Sequence, residues 1–225
     1  MHPNGVNTLV KPIVATDDGR YPPTSMLNDR SSLLSLLETR RSAKPRELAG
    51  PGPSAGELER ILTIAARSPD HGQLTPWRFV TVSQDQRDDL EAVLLRALLA
   101  DDPEAPPAKR VKEHDFAHYQ GALIVLVSSP VPDHKIPAWE QQLSCGAAGM
   151  NLMLAAHALG YVPGWVTGWR TYSEQVRHAF CGPGERIAGF IFIGHAGREL
   201  EERSRPELGA VWKRWQPGAS VSVSD

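Results

Sequence analysis

Apolar and polar residues recur along the chain with two different periods, which predict helices and strands in alternation. A period near 3.6 residues, as in a helix with one apolar face, marks segments 31–41, 54–67, 84–99 and 173–180, and a longer helix is predicted at 136–160, where Gly160 is a C-cap signal. Ser54 and Glu57 form a capping box at the start of the second segment. Period-two alternation or a continuous apolar run marks strands at 77–83, 121–128, 162–169 and 186–194. The pattern predicts an α+β or mixed α/β fold with one sheet covered by helices.

The helix predicted at 136–160 has apolar residues on nearly every side rather than in one stripe. A helix that is apolar all round must be buried all round. Either it forms the central core of a monomer, or a symmetric partner covers one side. The small residues from Gly146 to Gly149 would permit close approach of another helix. We favour the homodimer.

The two ends of the chain differ from its middle. Residues 1–28 are rich in Pro, Asn, Gly and Asp and show no periodicity, which is typical of an extended arm or a disordered tail. Residues 217–225 have the composition of a frayed C-terminal tail. The segment between them, 29–216, has the length of one domain.

Composition excludes several classes of protein. The net charge is −2 and no basic stripe occurs, which argues against a nucleic-acid partner. The apolar segments are too short or too interrupted to supply the roughly 20 mostly apolar residues that cross a bilayer, so no membrane segment is expected. The N-terminus has no pattern of a secretory signal. Cys145 and Cys181 form no CxxC motif and are expected to be reduced thiols of a cytoplasmic protein.

Arg40, Arg41 and Ser42 are the first chemical candidates, at the end of the first predicted helix. Arginine guanidiniums pair bidentately with phosphate oxygens, so the triplet suits a phosphate group. Cations at a helix C-terminus are also favoured by the helix dipole alone. Asp70 and His71 lie in a loop, where the imidazole could bind a ligand, carry a proton or be solvated.

Other kinds of site are poorly represented. His114 and His118 stand four residues apart, as a metal pair on a helix would, but there is no HExxH motif and no third ligand near them in sequence. We therefore expect solvated histidines and no metal. GxGxxG and GxxxxGK[ST] motifs do not occur, and we expect no GxSxG nucleophile elbow for an acyl-transfer serine. No catalytic acid–base pair or triad is predicted.

Four motifs, taken in order, resemble the nitroreductase-like family of FMN-dependent NAD(P)H nitroreductases. They are ETRRSAKPREL, ELERILTIAARSPDHGQLTPWRFVTV, QQLSCGAAGMNLMLAAHALGYVPGWVTG and a buried strand ending IFIGHAG. The sequence Lys135-Ile-Pro137-Ala-Trp139-Glu140 before the long helix is similar to the short, single-domain branch of that family. The resemblance covers about residues 33–215. Gln73 and Thr75 depart from it, since many relatives have Asn and Gln there.

The resemblance implies a four- or five-stranded, mostly antiparallel sheet flanked by helices, and an intertwined homodimer with two shared active sites. Each site would hold FMN between the two subunits. Four groups of residues match the cofactor-binding positions of the family. Arg40, Arg41 and Ser42 match those that hold the phosphate and ribityl chain, and Arg67 and His71 match those contributed by the other subunit. Trp165, Val166 and Thr167 match the segment beside the flavin ring, and Arg205 with Arg203 matches a C-terminal basic pair. Residues 155–160 match a stretch that relatives use for the nicotinamide nucleotide.

The implied activity is an oxidoreductase reaction. FMN would take hydride from NADH or NADPH and pass it to a small-molecule electron acceptor, such as a nitroaromatic or a quinone, by a ping-pong mechanism. Two alternatives stay open. A related flavoprotein could perform dehydrogenation, dehalogenation or flavin breakdown, with polar lid residues in the loop expected at 101–120. A non-catalytic FMN-binding protein is the other alternative.

Overall fold

The computed structural model describes residues 27–217. The predicted arm at 1–28 and tail at 217–225 fall almost entirely outside these residues. Asn28–Leu200 form one compact unit, whereas the chain from Glu201 onward belongs to a second unit and is described by itself. The candidate site residues lie in the first unit, apart from Arg205.

Eight helices and five strands are found among residues 27–217. The helices are α1 Leu33–Thr39, α2 Ala55–Ala65, α3 Arg87–Asp101, α4 Pro107–His118, α5 Ala138–Ala158, α6 Trp169–Tyr172, α7 Glu174–Phe180 and α8 Leu208–Val211. The strands are β1 Leu48–Ala49, β2 Trp77–Val82, β3 Ala122–Ser128, β4 Val162–Val166 and β5 Arg186–Ala196. Ser54 caps α2 and exchanges hydrogen bonds with Glu57, which confirms the predicted capping box.

The five strands form one antiparallel sheet, which confirms the expected α+β fold. β3 lies between β2 and β5, while β4 and β1 both pair with β5. Residues of β3 are buried on both faces, with Ile124 and Leu126 in one core cluster and Val125 and Val127 in the other. This double burial explains why β3 is a continuous apolar run rather than an alternating one.

Each face of the sheet is covered by its own helices. On one face, Leu94 of α3 and Phe116 of α4 pack in the same cluster as Phe190 of β5. On the other face, Ile61 of α2 and Leu152 of α5 share a cluster with the strands. No helix within residues 27–217 combines the length and the apolar character needed to cross a membrane. Both cysteine thiols are free, and burial raises the pKa of Cys145 to about 11.

The segment at 101–120 differs from the loop that we expected, because most of it is the helix α4. Only Glu113, Phe116 and Ala117 of α4 are buried, so the segment has too few apolar positions for a helical period to be visible in the sequence. The strand predicted at 162–169 ends at Val166, and Gly168 has a φ of 109° that breaks the extended backbone before α6.

α5 is not buried on all sides within one chain. Ala148, Leu152 and Ala156 are buried against the sheet. Trp139, Leu143 and Met150 on another side are 67%, 54% and 37% exposed. Since these three positions are about one or two helical turns apart, they form a single exposed apolar stripe, which we call the α5 stripe. If α5 is buried on all sides, the residues that cover the α5 stripe must therefore come from outside residues 27–217 of this chain.

Candidate functional site

The basic triplet Arg40–Ser42 stands where α1 stops. Ser32 caps the helix by accepting from the backbone N–H of Ser35, and the extended backbone of Arg40 ends it. The Arg40 guanidinium donates to the hydroxyl of Ser42 at 3.2 Å. Arg41 donates through its side chain to the carbonyl of Ser42. All three residues are half-buried, so two guanidiniums and a hydroxyl converge at one partly sheltered place.

β4 lies directly beside this triplet. The backbone N–H of Ala43, the next residue, donates to the carbonyl of Pro163 at 3.3 Å. Gly164 permits the approach, because a Cβ on that residue would lie 2.4 Å from the carbonyl oxygen of Ala43. The structure therefore sets the triplet beside the first residues of β4, the strand that leads into the predicted segment Trp165–Thr167.

The Trp165 side chain points into the protein rather than outward. Its Nε1 donates to the carbonyl of Ala188 at 3.2 Å, and its ring fills space left by two glycines. A Cβ on Gly149 would lie 2.4 Å from the ring, and one on Gly189 would lie 1.9 Å from Nε1. With the indole anchored in this way, the following residues, Thr167 and Gly168, are exposed at the end of β4. Gly149, which we expected to admit another helix, in fact admits Trp165.

His157, near the end of α5, is a residue that the sequence analysis did not single out individually. Its side chain is 1% exposed, and neither ring nitrogen has a hydrogen-bond partner in the part of the chain that the structure describes. Burial and the charge of Arg40 lower the pKa of His157 to about 4, and the Tyr161 backbone offsets only part of this shift. The imidazole is thus neutral at pH 7 and adds no positive charge to those of the two arginines in the triplet.

The loop after α2 carries Arg67 and His71, both exposed. α5 holds this loop through side chains that the sequence pattern did not indicate. Ser144 donates its hydroxyl to the carbonyl of Pro69 at 2.6 Å, and Asn151 donates to the hydroxyl of Ser68 at 2.9 Å. Although exposed, the loop therefore has a fixed position on α5.

His71 contacts the first turn of α5. Its Nδ1 lies 2.7 Å from Oε2 of Glu140. A carboxylate can only accept, so Nδ1 carries the proton and donates. Ile136 also contacts the loop, since a Cβ on Gly72 would lie 2.5 Å from its Cδ1. The Asp70-His71 loop and the motif that ends in Glu140 thus pack against each other.

Gln73 and Thr75, the two departures from the family pattern, have an unusual backbone. Their φ angles are 54° and 49°, in the left-handed region that side chains other than glycine rarely adopt. Asp70 supports the turn, because its carboxylate accepts from the backbone N–H of Thr75 at 2.7 Å. The departures therefore lie at strained positions of the loop that carries His71.

The candidate residues form two groups at opposite ends of α5. His71 contacts Glu140 in the first turn, whereas Arg40 acts electrostatically on His157 in the last turn. Seventeen residues separate Glu140 from His157, which is about 25 Å along the helix axis. Arg205, in the C-terminal segment described by itself, donates to Glu202 at 2.9 Å.

The model of the Nitroreductase family matches residues 37–195. The chain belongs to the nitroreductase family. A relative from Haemophilus influenzae bears the name "Putative NAD(P)H nitroreductase" and is 37% identical over 172 residues, which are 76% of this chain and 91% of the relative. Membership confirms the resemblance drawn from the four motifs and supports an oxidoreductase of the nitroreductase type.

Solved structures of the nitroreductase family share the fold. A nitroreductase-like family protein from Bacillus cereus superposes with a TM-score of 0.69 at 20% identity, covering 82% of this chain and 96% of that chain. An FMN and NADPH-dependent nitroreductase, a mutant of NfnB derived from sphigopyxis sp. strain HMH, superposes with a TM-score of 0.60 at 20% identity. This second alignment covers 80% of this chain and 96% of that one. At this identity the likeness supports the fold alone.

Proposed function

We propose that this protein is an FMN-dependent oxidoreductase that takes hydride from NADH or NADPH and reduces small acceptors such as nitroaromatics or quinones. The observation that carries the proposal is the junction between Ala43 and Pro163, which sets the basic triplet beside β4, the strand that leads to Thr167. Family membership and the names of the relatives agree with it.

The donor set at this junction fits FMN. The flavin mononucleotide ends in one phosphate, and Arg40, Arg41 and Ser42 offer two guanidiniums and a hydroxyl for one anion. Because His157 is neutral, the local positive charge comes from the two arginines and is matched to a single phosphate group. An FAD dinucleotide would be expected to need a glycine-rich fingerprint, and the sequence lacks GxGxxG.

The exposed end of β4 would face the flavin ring. Trp165 is locked inward, so the polypeptide offers Val166, Thr167 and the glycine backbone at Gly168 rather than an indole face. Bound FMN would supply the hydride-transfer chemistry. The task of the chain is then to hold the phosphate, orient the ring and leave room for nucleotide and acceptor in turn, which is the basis of the ping-pong proposal.

Each active site is proposed to include His71, and by the resemblance Arg67, of a second subunit. Within one chain His71 lies at the far end of α5 from the triplet, about 25 Å along the helix axis. A two-fold partner would bring its own His71 group to the triplet and would also cover the α5 stripe. The exposed Leu33, Leu34 and Leu37 of α1 add apolar surface that a homodimer would bury.

The proposal is tested by identifying the bound flavin and then reducing it. Flavin released from the purified protein by heat should co-migrate with FMN on chromatography. Under anaerobic conditions, NADH or NADPH should bleach the visible flavin absorbance, and a nitroaromatic or quinone should restore it. Released FAD, or no flavin after reconstitution with FMN, would contradict the cofactor. Bound FMN that neither nucleotide bleaches would favour a non-catalytic FMN-binding protein instead.

A further inference from the structure

Two histidines on α4 and a glutamate on α3 converge on one point of the surface. His114 Nδ1 and His118 Nε2 each lie 2.9 Å from the same carboxylate oxygen, Oε2 of Glu91. The two imidazole rings are tilted by 34° to each other, with centroids 4.5 Å apart. The three ligand atoms all lie within 4.8 Å of one another. The sequence analysis found the histidine pair but not its third partner, which lies 23 residues before His114.

The packing of α3 against α4 fixes this arrangement. Leu94 and Ala97 of α3 are buried in the same cluster as Phe116 and Ala117 of α4. A shared core beneath the helices leaves them little freedom to move apart. The ligand atoms lie above this core, with the Glu91 side chain 24% exposed. An ion from solvent can therefore reach a cluster whose geometry the core already holds.

We propose that Glu91, His114 and His118 bind a zinc ion that clamps α3 to α4. Imidazole nitrogens and a carboxylate oxygen are a ligand set that zinc accepts, at about 2.0–2.2 Å from the metal. Such metal–ligand distances set neighbouring ligand atoms roughly 3–4 Å apart, close to the separations already present. Magnesium and calcium prefer sets made of oxygen alone.

Zinc would replace two hydrogen-bonded protons. At present a proton on His114 Nδ1 and one on His118 Nε2 point at Glu91, because the carboxylate can only accept. On binding, each neutral ring would carry its proton on the other nitrogen and turn a lone pair to the metal. Asp88, whose Oδ1 lies 3.6 Å from His118 Nε2, or a water molecule would complete four ligands.

The clamp would act on a helix that contacts α6, the helix that follows β4. Glu113 of α4 accepts from Arg170 at 2.6 and 2.8 Å in a largely buried ion pair, and Arg170 follows Gly168 by two residues. Zinc binding itself uses no residue of the proposed flavin site. The result of a zinc-binding experiment therefore does not depend on whether the flavin-site proposal is right.

Titration of zinc chloride into the untagged, purified protein tests the site, with heat release measured by calorimetry. We expect one zinc ion per chain and an increase in melting temperature on zinc addition. The double variant His114→Ala/His118→Ala, and separately Glu91→Gln, should weaken binding at least about tenfold and lose the increase. These are exposed or half-buried positions, so circular dichroism should confirm a native fold.

His178→Ala is the matched control, because His178 faces Glu174 four residues away at 3.9 Å in an exposed pair to which residues 27–217 add no third metal ligand. This variant should bind zinc like the wild type, and magnesium chloride should bind to neither protein. Absence of zinc binding by the wild type would overturn the proposal. Undiminished binding by the double variant or by Glu91→Gln would overturn it as well, since zinc would then lie elsewhere.

Discussion

The backbone N–H of Ala43 donates to the carbonyl of Pro163, and this contact links the residue after the basic triplet to the strand that precedes Thr167. Two segments 120 residues apart in sequence thereby become neighbours. The triplet lies where α1 ends, and the exposed end of β4 follows the anchored side chain of Trp165. Their junction is what turns separate motifs into one candidate site.

Reversal of the charge at Arg40 should release the flavin. A charge-assisted hydrogen bond contributes about 1.5–3 kcal/mol, so Arg40→Glu should weaken FMN binding by more than about tenfold, with added repulsion. The dissociation constant can be measured by flavin fluorescence. Arg46→Glu is the control, because Arg46 is exposed on the neighbouring 3₁₀ turn and should retain FMN. Wild-type affinity in Arg40→Glu would mean that Arg40 only complements the end of α1.

Enlargement of Gly149 should disturb β4 through Trp165. A Cβ at Gly149 would lie 2.4 Å from the indole, so Gly149→Ala should cost about 1–3 kcal/mol in unfolding free energy and weaken FMN binding. Gly56→Ala is the same change in α2, where no atom of residues 27–217 outside the helix lies within 4 Å of the added Cβ, and should stabilise the protein by roughly 0.5–1 kcal/mol. Urea unfolding of both variants gives the comparison. Equal stability of the two would show that Trp165 is not confined by Gly149.

The buried imidazole of His157 should make stability depend on pH. The pKa of His157 in the folded protein is about 4, below the ordinary value of 6.5. As pH falls below 6.5, this histidine therefore binds a proton in the unfolded chain but stays unprotonated in the folded protein. The stability that the protein keeps while this imidazole is neutral in both states is present in full above pH 6.5 and is lost as pH falls towards 4. Between pH 7 and pH 5 it amounts to about 2 kcal/mol of lost stability.

His157→Leu should remove that part of the pH dependence. The variant should lose about 2 kcal/mol less than the wild type between pH 7 and pH 5, measured by urea unfolding at one fixed FMN concentration. At pH 7 its stability should be close to that of the wild type, because neither ring nitrogen is hydrogen-bonded within residues 27–217. His178→Ala, at an exposed histidine, should keep the wild-type slope. An unchanged slope in His157→Leu would show that the ring titrates normally.

The sequence predicted what depends on local pattern and missed what depends on contacts distant in sequence. The capping box of Ser54 and the doubly buried strand β3 are local signals, and both were confirmed. The polar helix α4 has no clear apolar period in the sequence, because few of its residues are buried against the rest of the protein. For the same reason the third partner of the histidine pair, Glu91, could not be identified from spacing.

In the candidate site, too, the sequence showed the local features and missed the contacts between distant segments. The chemistry of Arg40–Ser42 was visible in three adjacent residues, but their junction with Pro163 depends on the fold. Apart from the family resemblance, His71 had no distinguishing signal beyond its loop, and its partner Glu140 lies 69 residues later. His157 was not recognised individually, since a histidine among apolar residues of a helix carries no sign of the arginine that approaches it.

Complementation between two inactive variants tests the shared site most directly. Arg40→Glu and His71→Asp are each expected to inactivate their own homodimer, since both sites then carry the same lesion. Co-expression with two different tags allows the mixed dimer to be purified. If Arg40 of one chain meets His71 of the other, one of its two sites collects both lesions and the other carries none. Nitroaromatic reduction by the mixed dimer should then recover about half of the wild-type rate. An inactive mixed dimer, formed from variants that each fold and dimerise, would contradict the shared site, because every site would then lie within one chain.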